Sequence, residues 1–463
     1  MSTRQNPITR RQFVKATAAS SVFGCNILHA NNRAEKLNMA FIACGGRGGS
    51  NLRSFAPPGG AGENVVALCD VDQNAVDRAS QMHPGAKKYR DYRRLFDDMR
   101  DSEFDAVVVS TTEHTHAFAT LPALQRKKHV YCEKPLTHGI REARIIADAA
   151  KRAGVVTQMG NQMHSTSNFR RIVELIQSGG IGAVREVHVW VSRAWGQQTE
   201  EEARANKDII ITVDSPTETH PAPANIDWEV WLGPAPFRPY NNDVYLPGPR
   251  WYRFWDFASG TMSDLGSHWN DLPFWALALD APKTIEASGP TPHRDLAPAS
   301  FSATYEYGPR RNPMAPGEMP ACKLTWYQGT MKPDAWKAGR IPQSQNGMLF
   351  IGEKATLLAE YQRYTILIDD KVVDKFAPFT LPPRTIPDSP GHWEEFVLAC
   401  KNGGQCGSNF AYAGPLTEAN HLASIAFRVG KKIEWDSKNL QVINSPEAQR
   451  LVAREYRSGW KLA

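Results

Sequence analysis

The chain lacks most of the features that would assign it quickly. Its 463 residues hold seven cysteines, but no CxxC pair and no other zinc-ligand spacing, which argues against zinc-finger and zinc-ribbon classes. Cys44, Cys69 and Cys132 fall in apolar runs and read as inert core thiols. Beyond the N-terminal leader there is no long apolar run, so no membrane span is expected. The formal charge of +6 misleads. Arg4, Arg10, Arg11 and Lys15 lie in the first thirty residues, and without those four, 50 basic residues face 48 acidic ones, +2 net. That leaves no electrostatic case for a nucleic acid or membrane partner. No internal repeat is evident.

What is present begins at the N-terminus. Thr9-Arg10-Arg11-Gln12-Phe13-Val14-Lys15 precedes a mildly apolar, Ala/Ser-rich stretch ending in Leu28-His29-Ala30. Paired arginines, a short apolar segment and a small-residue cleavage site are the pattern of a twin-arginine export signal over residues 1–30. The expected destination is the periplasm. The apolar stretch is too short to anchor in a bilayer, and Val22-Phe23-Gly24-Cys25 is a poor lipid-attachment site. This route carries proteins already folded, often around a cofactor. A group held inside is therefore expected, and Cys400 and Cys406 are not expected to form a structural disulfide.

From Leu37 the chain alternates strand and helix. Strands are predicted at Leu37–Cys44, Asn64–Cys69, Phe104–Ser110, His129–Cys132 and Val155–Met159. Helices fall between them at Gln73–Met82, Asp91–Met99, His116–Arg126 and Ile140–Ala153. That order implies a parallel sheet with helices on both faces. After about Gly160 the pattern changes. Phe169–Ser178 reads as a helix, and Val184–Ser192 alternates with period two. Further strands follow at Thr284–Ser288, Ser302–Tyr307, Cys322–Trp326, Met348–Ile351, Thr356–Glu360 and Tyr364–Ile368 with no helices between them. A second, α+β domain over 161–463 with a largely antiparallel sheet is the expectation, its C-terminal segment packing back on the structure. The Pro216–Pro249 and Pro309–Pro320 loops are predicted to lack secondary structure, and loops of such length are usually lids or oligomer contacts.

Ala43-Cys44-Gly45-Gly46-Arg47-Gly48 follows the first strand and opens a helix, where a dinucleotide-binding fingerprint stands. Gly45 lets backbone approach a pyrophosphate, Gly48 lets the helix pack close, and the helix N-terminus supplies N–H groups to the phosphates. Ala43 replaces the first glycine of the fingerprint. Asp70 closes the second strand, where a carboxylate meets the adenosine ribose and repels a 2′-phosphate. NAD is favoured over NADP on that ground. The first domain is accordingly placed at 37–160.

Asp105–Leu136 (DAVVVSTTEHTHAFATLPALQRKKHVYCEKPL) carries the sharpest signal. With Thr111-Thr112 in place of Thr-Pro, His116 downstream, Lys127-Lys128-His129-Val130 and an intact Glu133-Lys134-Pro135, the chain resembles the Gfo/Idh/MocA oxidoreductases, the glucose–fructose oxidoreductase and inositol dehydrogenase family. Gly260–His268 (GTMSDLGSH) matches that family's D-x-x-x-H segment. Ser408–Thr417 and Glu455–Leu462 resemble its exported branch. The resemblance implies an N-terminal Rossmann parallel sheet plus a C-terminal α+β domain with a large open, mostly antiparallel sheet. It also implies tightly bound NAD, held by Gly45, Gly46, Arg47, Gly48, Asp70, Thr111, Thr112, His116, Glu133 and Lys134. Oxidising a sugar hydroxyl needs a base for its proton and a cation for the developing alkoxide. The resemblance assigns Lys134 to the cation or to shared proton handling, and His268 to the base. On one helix over 261–274, Asp264 and His268 share a face, where Asp264 could bind a hydroxyl or orient the imidazole. No third ligand is spaced to make a metal site of them. The proline of Glu133-Lys134-Pro135 forces the lysine into an extended conformation.

Trp190, Trp195, Trp251, Tyr252, Trp255 and Trp269 offer flat platforms for a pyranose ring, with Arg193, Arg253, Asn270 and Asp271 as polar neighbours. Core packing is the competing reading of each tryptophan, and a solvated strand end that of Arg193. The substrate site is expected at Lys134, Arg193, Asp264, His268 and Trp251. Three functions follow. The first is an exported NAD-dependent dehydrogenase of a sugar or glycoside hydroxyl, with C3 among the positions the resemblance implies. The second is a glycosidase or lyase that oxidises its sugar transiently. Relatives of that kind tend to carry Thr-His-Gly where this chain has Ser263–His268. The third is a non-catalytic sugar-binding protein, which would need neither Lys134 nor His268. A homodimer or homotetramer, assembled through the open sheet face, is the family habit.

Overall fold

The computed structural model describes residues 35–60, 62–205, 218–241, 245, 248–373 and 382–462. The expected export signal and Cys25 lie outside these, as do parts of the Pro216–Pro249 loop.

Six parallel strands form the first sheet: β1 (Asn38–Ile42), β2 (Asn64–Cys69), β3 (Lys87–Tyr89), β4 (Ala106–Val109), β5 (His129–Cys132) and β6 (Thr157–Met159). Their spatial order is β3-β2-β1-β4-β5-β6, the doubly wound arrangement whose strand order reverses between β1 and β4. β4 is buried at every residue, as a strand covered by helices on both faces must be. The Ile140–Ala153 helix turns Ile140, Ala143, Ile146, Ala149 and Ala150 inward and stops at Gly154, whose φ of 66° suits a residue without Cβ.

Among the described residues the second sheet has ten strands. They are β7 (Val184–Val191), β8 (Thr284–Ser288), β9 (Phe301–Tyr307), β12 (Cys322–Gln328), β13 (Gly347–Gly352), β14 (Thr356–Ala359), β15 (Tyr364–Ile368), β16 (Lys371–Val373), β17 (Ile433–Asp436) and β18 (Gln441–Val442). The order is β16-β15-β14-β13-β7-β12-β9-β8-β17-β18. Only β7 and β12 pair in parallel; the other neighbours are antiparallel. Both long loops differ from expectation: Arg310–Arg311 (β10) and Glu318–Met319 (β11) pair as a short hairpin, and the 216–249 loop holds a short helix, Trp228–Leu232.

Alternation along β9 turns Phe301, Ala303, Tyr305 and Tyr307 to the core, while Ser302, Thr304 and Glu306 share the opposite face with Lys323 and Thr325 of β12. Farther along that face Trp190, Ile341, Leu349, Leu358 and Leu367 form their own apolar cluster. The 20-residue helix Phe410–Val429 joins the two domains. Asn409 caps it through Ala411 N–H (3.0 Å) and Tyr412 N–H (3.3 Å). Arg144, on the Ile140–Ala153 helix, grips its Glu418 with two bonds of 2.9 Å. The C-terminal residues return to the first domain, where Phe118 meets Tyr456 edge-on at 5.0 Å and Arg93 covers Trp460 at 4.5 Å.

Candidate active site

A cavity of about 790 Å³ opens at the C-terminal ends of the first sheet's strands, and the second domain closes its far wall. Open α/β sheets bind ligands there, at the point where strand order reverses. One wall is the glycine turn. A Cβ on Gly48 would stand 2.1 Å from the carbonyl oxygen of Ala43, so only glycine lets the Gly46–Phe55 helix start this close to β1. A Cβ on Gly46 would meet nothing within 4 Å, although its φ of +46° favours glycine. Ala43 replaces a glycine at a cost, because its φ is +69°, a left-handed conformation that L-residues avoid by about 1–2 kcal/mol. Asp70 braces the turn. Its Oδ2 accepts from Cys44 N–H and Gly45 N–H, both at 2.9 Å, and its Oδ1 from Asp72 N–H at 3.0 Å. Burial raises its pKa against those bonds. The carboxylate thus serves the protein's own backbone before any ribose, and Asp72 lines the cavity beside it.

The chemical centre joins the two domains. Lys134 Nζ donates to Asp264 Oδ1 at 2.7 Å and to the Asp264 carbonyl at 2.6 Å, and lies 3.5 Å from the Tyr252 hydroxyl. The side chains of Lys134 and Asp264 are each 10% exposed. Arg193 takes the other carboxylate oxygen at 2.5 Å and sits 4.4 Å over the Trp195 ring. Burial works against the Lys134 charge, but Asp264 and Tyr252 outweigh it and hold the ammonium above its ordinary range. Asp264 is likewise held low by Lys134 and Arg193 in spite of burial. His268 lines the same cavity one helical turn on. Burial and the Lys134 charge push its pKa down to about 3, so its imidazole is neutral. Its Nδ1 is buried without a hydrogen-bond partner among the described residues. Asp264 therefore clamps two cations rather than orienting His268. The helix expected over 261–274 is two, Gly260–Trp269 and Asp271–Ala276, which meet at Asn270.

Glu133 works behind the lysine. Its Oε1 accepts from Arg47 Nε at 2.8 Å and Asn51 Nδ2 at 2.9 Å, with Gln162 Nε2 at 3.3 Å. It ties the glycine-turn helix to the lysine's strand end, leaving Arg47 half exposed beside the cavity. The Lys134–Pro135 peptide is cis. His116 spans the Pro135 carbonyl (Nδ1, 2.7 Å) and the Thr111 carbonyl (Nε2, 3.0 Å). It fastens two cavity loops together while lining the wall with Thr111 and Thr112. His114 packs against Trp231 and Phe257 and lies outside the cavity lining.

The aromatic candidates divide. Trp251 and Tyr252 line the cavity, stacked on one another at 4.0 Å, and Trp195 backs Tyr252 at 5.1 Å. Trp190 belongs to the apolar cluster on the far sheet face. Trp269 stacks on Tyr361 in the core, and Trp255 lines a separate pocket near Arg428. Asn270 and Asp271 are structural. Asn270 binds Asn420 at 2.8 Å, and Asp271 accepts from Tyr412 at 2.6 Å and pairs with His164 at 2.9 Å. Arg253, 1% exposed, is also not part of the lining. Core packing wins at Trp190 and Trp269 because large planar side chains gain most from full burial.

Sequence reasoning passed over Glu113. It lines the cavity, is 1% exposed, and neither carboxyl oxygen has a hydrogen-bond partner among the described residues. Its position between Thr112 and His114 in the loop after β4 was the available signal.

Two family models match the chain. Residues 37–161 match an oxidoreductase family's NAD-binding Rossmann fold, and 170–330 match the same family's C-terminal α/β domain; together they span well over half the chain. Inositol 2-dehydrogenase of Salmonella typhimurium is 28% identical over 179 residues, 38% of this chain and 51% of that enzyme. The chain thus spans about half the length of the curated relatives it matches first. A 1,5-anhydro-D-fructose reductase of Ensifer adhaerens is 40% identical over 82 residues, 18% of this chain and 25% of that enzyme. Among solved structures, an inositol dehydrogenase homologue from Azotobacter vinelandii, complexed with NADH and myo-inositol, superposes with a TM-score of 0.56 at 16% identity, covering 88% of this chain and all of that one. The aldose–aldose oxidoreductase of Caulobacter crescentus, complexed with glycerol, gives 0.55 at 15% identity over 87% of this chain and 100% of its own. At such identities these two establish a shared fold.

Proposed function

The chain belongs to the Gfo/Idh/MocA oxidoreductase family, and from that premise we propose that it is an exported, NAD-dependent dehydrogenase of a sugar or glycoside hydroxyl, C3 being the position proposed. The observation that carries the reading is the Lys134–Asp264 contact at 2.7 Å across the domain boundary, with His268 in the same cavity. A buried cation, an unprotonated imidazole and an aromatic wall share one cavity: the cation answers the demand of alcohol oxidation for charge stabilisation, and the imidazole, held well below neutrality, takes the proton only in passing.

The lining fits the dinucleotide. Gly45, Gly46 and Arg47 would hold its pyrophosphate at the helix N-terminus, which Gly48, outside the lining, lets pack close to β1; Asp70 and Asp72 would hold its adenosine ribose, and Thr111, Thr112, His116 and Lys134 its nicotinamide half, with Glu133 fixing Arg47 from behind. Bound there, NAD would supply the hydride acceptor. The remaining work falls to the protein. Lys134, fixed by Asp264, offers a permanent positive charge to the substrate oxygen as it develops alkoxide character. His268, neutral at working pH, accepts that oxygen's proton. Trp251 and Tyr252 offer a flat face to the sugar ring, and Arg193 sets the Asp264 carboxylate and the rim. Delivery through the twin-arginine route after folding accounts for a cofactor retained between turnovers. Assembly into a homodimer or homotetramer through the polar face of β9 and β12 completes the proposal.

The test is to incubate purified protein with a panel of glycosides, following bound-cofactor absorbance in the NADH band and products by mass spectrometry. Net reduction with a keto-sugar supports the reading. Aglycone released without net reduction replaces it with elimination chemistry, and neither signal leaves a sugar-binding protein.

A further inference from the structure

Glu113 has no place in the mechanism above, yet it sits in the middle of it. It opens the 3₁₀ turn Glu113–Thr115 directly after β4 and lines the cavity shared by Lys134, Tyr252, Asp264 and His268. The residue is 1% exposed and both carboxyl oxygens lack partners among the described residues. The Ser263 hydroxyl lies close enough to favour the Glu113 carboxylate, but its geometry commits it elsewhere, since its Oγ accepts from Ser259 N–H at 2.9 Å and donates to the Gly260 carbonyl at 3.2 Å. A buried carboxyl that no protein group satisfies needs an explanation, because proteins seldom bury such a group without a use for it.

The other groups of the site cannot hold a proton for long. Lys134 and Tyr252 already carry theirs, and Asp264 is occupied by two cations. His268 is buried next to the Lys134 charge, so an imidazolium there is repelled and must pass its proton on. We propose that Glu113 is the proton-holding residue of this site: the proton released on oxidation of the substrate hydroxyl comes to rest on its carboxylate, and is returned from it in the reverse direction. The balance is complete. The substrate O–H and C–H bonds break and a C=O bond forms; the C–H electron pair leaves as hydride to the nicotinamide ring. The proton goes first to His268 and ends as an O–H bond on Glu113.

The surroundings suit that task. The charged and titratable groups facing Glu113 are Lys134 and Arg454, which favour its carboxylate, and Asp264, which opposes it; Tyr252 also feels its charge. Burial is the strongest influence and raises the pKa to about 8, close enough to neutrality for the group to take up and release a proton in turn. This inference rests on the dehydrogenase reading of the site.

The experiment uses the holoprotein and the Glu113→Gln variant. Bound-NADH formation from a glycoside is followed between about pH 6 and pH 10, and protonated-carboxyl absorption is titrated in parallel by infrared difference spectroscopy without substrate. For the wild type the rate should climb with pH through a group near 8, and a carboxyl band should disappear over the same interval. Glu113→Gln should lose both the rising limb and the band, with a rate lowered roughly 10²-fold at the alkaline end. An active variant with an unchanged pH profile, or a wild type with no carboxyl titrating there, overturns the assignment. Wild-type protein that reduces its cofactor with no glycoside refutes the dehydrogenase reading itself, and Glu113's role with it.

Discussion

Replacing Asp264 with asparagine tests the ion cluster at the centre of the site. The substitution keeps the side chain's shape and removes one negative charge from between Lys134 and Arg193, which stand at 2.7 and 2.5 Å from its oxygens. Two unit charges about 4 Å apart interact by roughly 4 kcal/mol at an effective dielectric of about 20. Arg193 is 42% exposed, so water screens its share and it adds little. Lys134, 10% exposed, is not so relieved, and stripping a buried charge of its partner costs about 3–5 kcal/mol. Against a total of about 5–15 kcal/mol, the variant folds but is clearly weakened at pH 7. Its pH dependence identifies the cause. With Asp264 present the Lys134 pKa lies above the ordinary 10.5, so the pair's contribution is full below that pH and is lost only above it. Without the carboxylate, burial and Arg193 carry the amine below 10.5. The unfolded chain then binds more protons, and stability rises with pH across that window. Urea unfolding followed by tryptophan fluorescence should therefore show a gap between wild type and Asp264→Asn that narrows from pH 7 toward pH 10. Adding Lys134→Met to the variant should recover much of the loss. A loss under about 1 kcal/mol, or a gap that ignores pH, refutes the reasoning.

Other expectations concern the cofactor wall and proton handling. Ala43→Gly relieves a left-handed alanine and should stabilise the protein by about 0.5–1 kcal/mol after the entropy of the new glycine is deducted, measured by the same unfolding assay. Gly48→Ala forces a Cβ to within 2.1 Å of a carbonyl oxygen; it should cost about 3 kcal/mol or more and yield protein without nucleotide, read from the absorbance of acid-released cofactor. Asp70→Asn keeps an acceptor oxygen for the turn but removes the charge that repels a 2′-phosphate, so the ratio of NADP to NAD affinity should rise about tenfold, measured by calorimetry. Glu113, with a pKa raised from 4.5 to about 8, keeps its proton on folding. Its contribution is full below about pH 4.5 and is lost as pH climbs through about 8, so wild-type stability should fall relative to Glu113→Gln over that interval.

The glycine turn was legible as a local pattern between a strand end and a helix start, whereas Lys134 and His268 stood out only through the family motifs that hold them, and both line the cavity. What it hid was long-range. Lys134 and Asp264 are 130 residues apart, so the sharing of Asp264's two oxygens between Lys134 and Arg193 had no local trace, and the i, i+4 spacing pointed to His268 instead. Asp70 was visible as an acid at a strand end, but not as the brace of its own turn. Strands of two or three residues, such as β3, β16 and β18, are too short for any period to show. The Phe410–Val429 helix is buried almost all round and contains Pro415, which removed both the amphipathic signature and the expectation of a helix. Glu113 lay unmarked because nothing in its neighbours announces that a loop carboxyl will be enclosed. The tryptophans were sorted by packing that no spacing records: of those expected at the site Trp251, with Tyr252, lines the cavity, and Trp231, which was not expected there, lines it too.

Mixing Lys134→Ala protein and wild type, each loaded with NAD, with the same glycoside panel probes the account most directly. The wild type should develop bound NADH and a keto-sugar, and the variant should fall by roughly 10³-fold with its nucleotide still bound. Equal turnover by the two proteins, or wild-type protein that binds NAD yet oxidises no sugar, contradicts it.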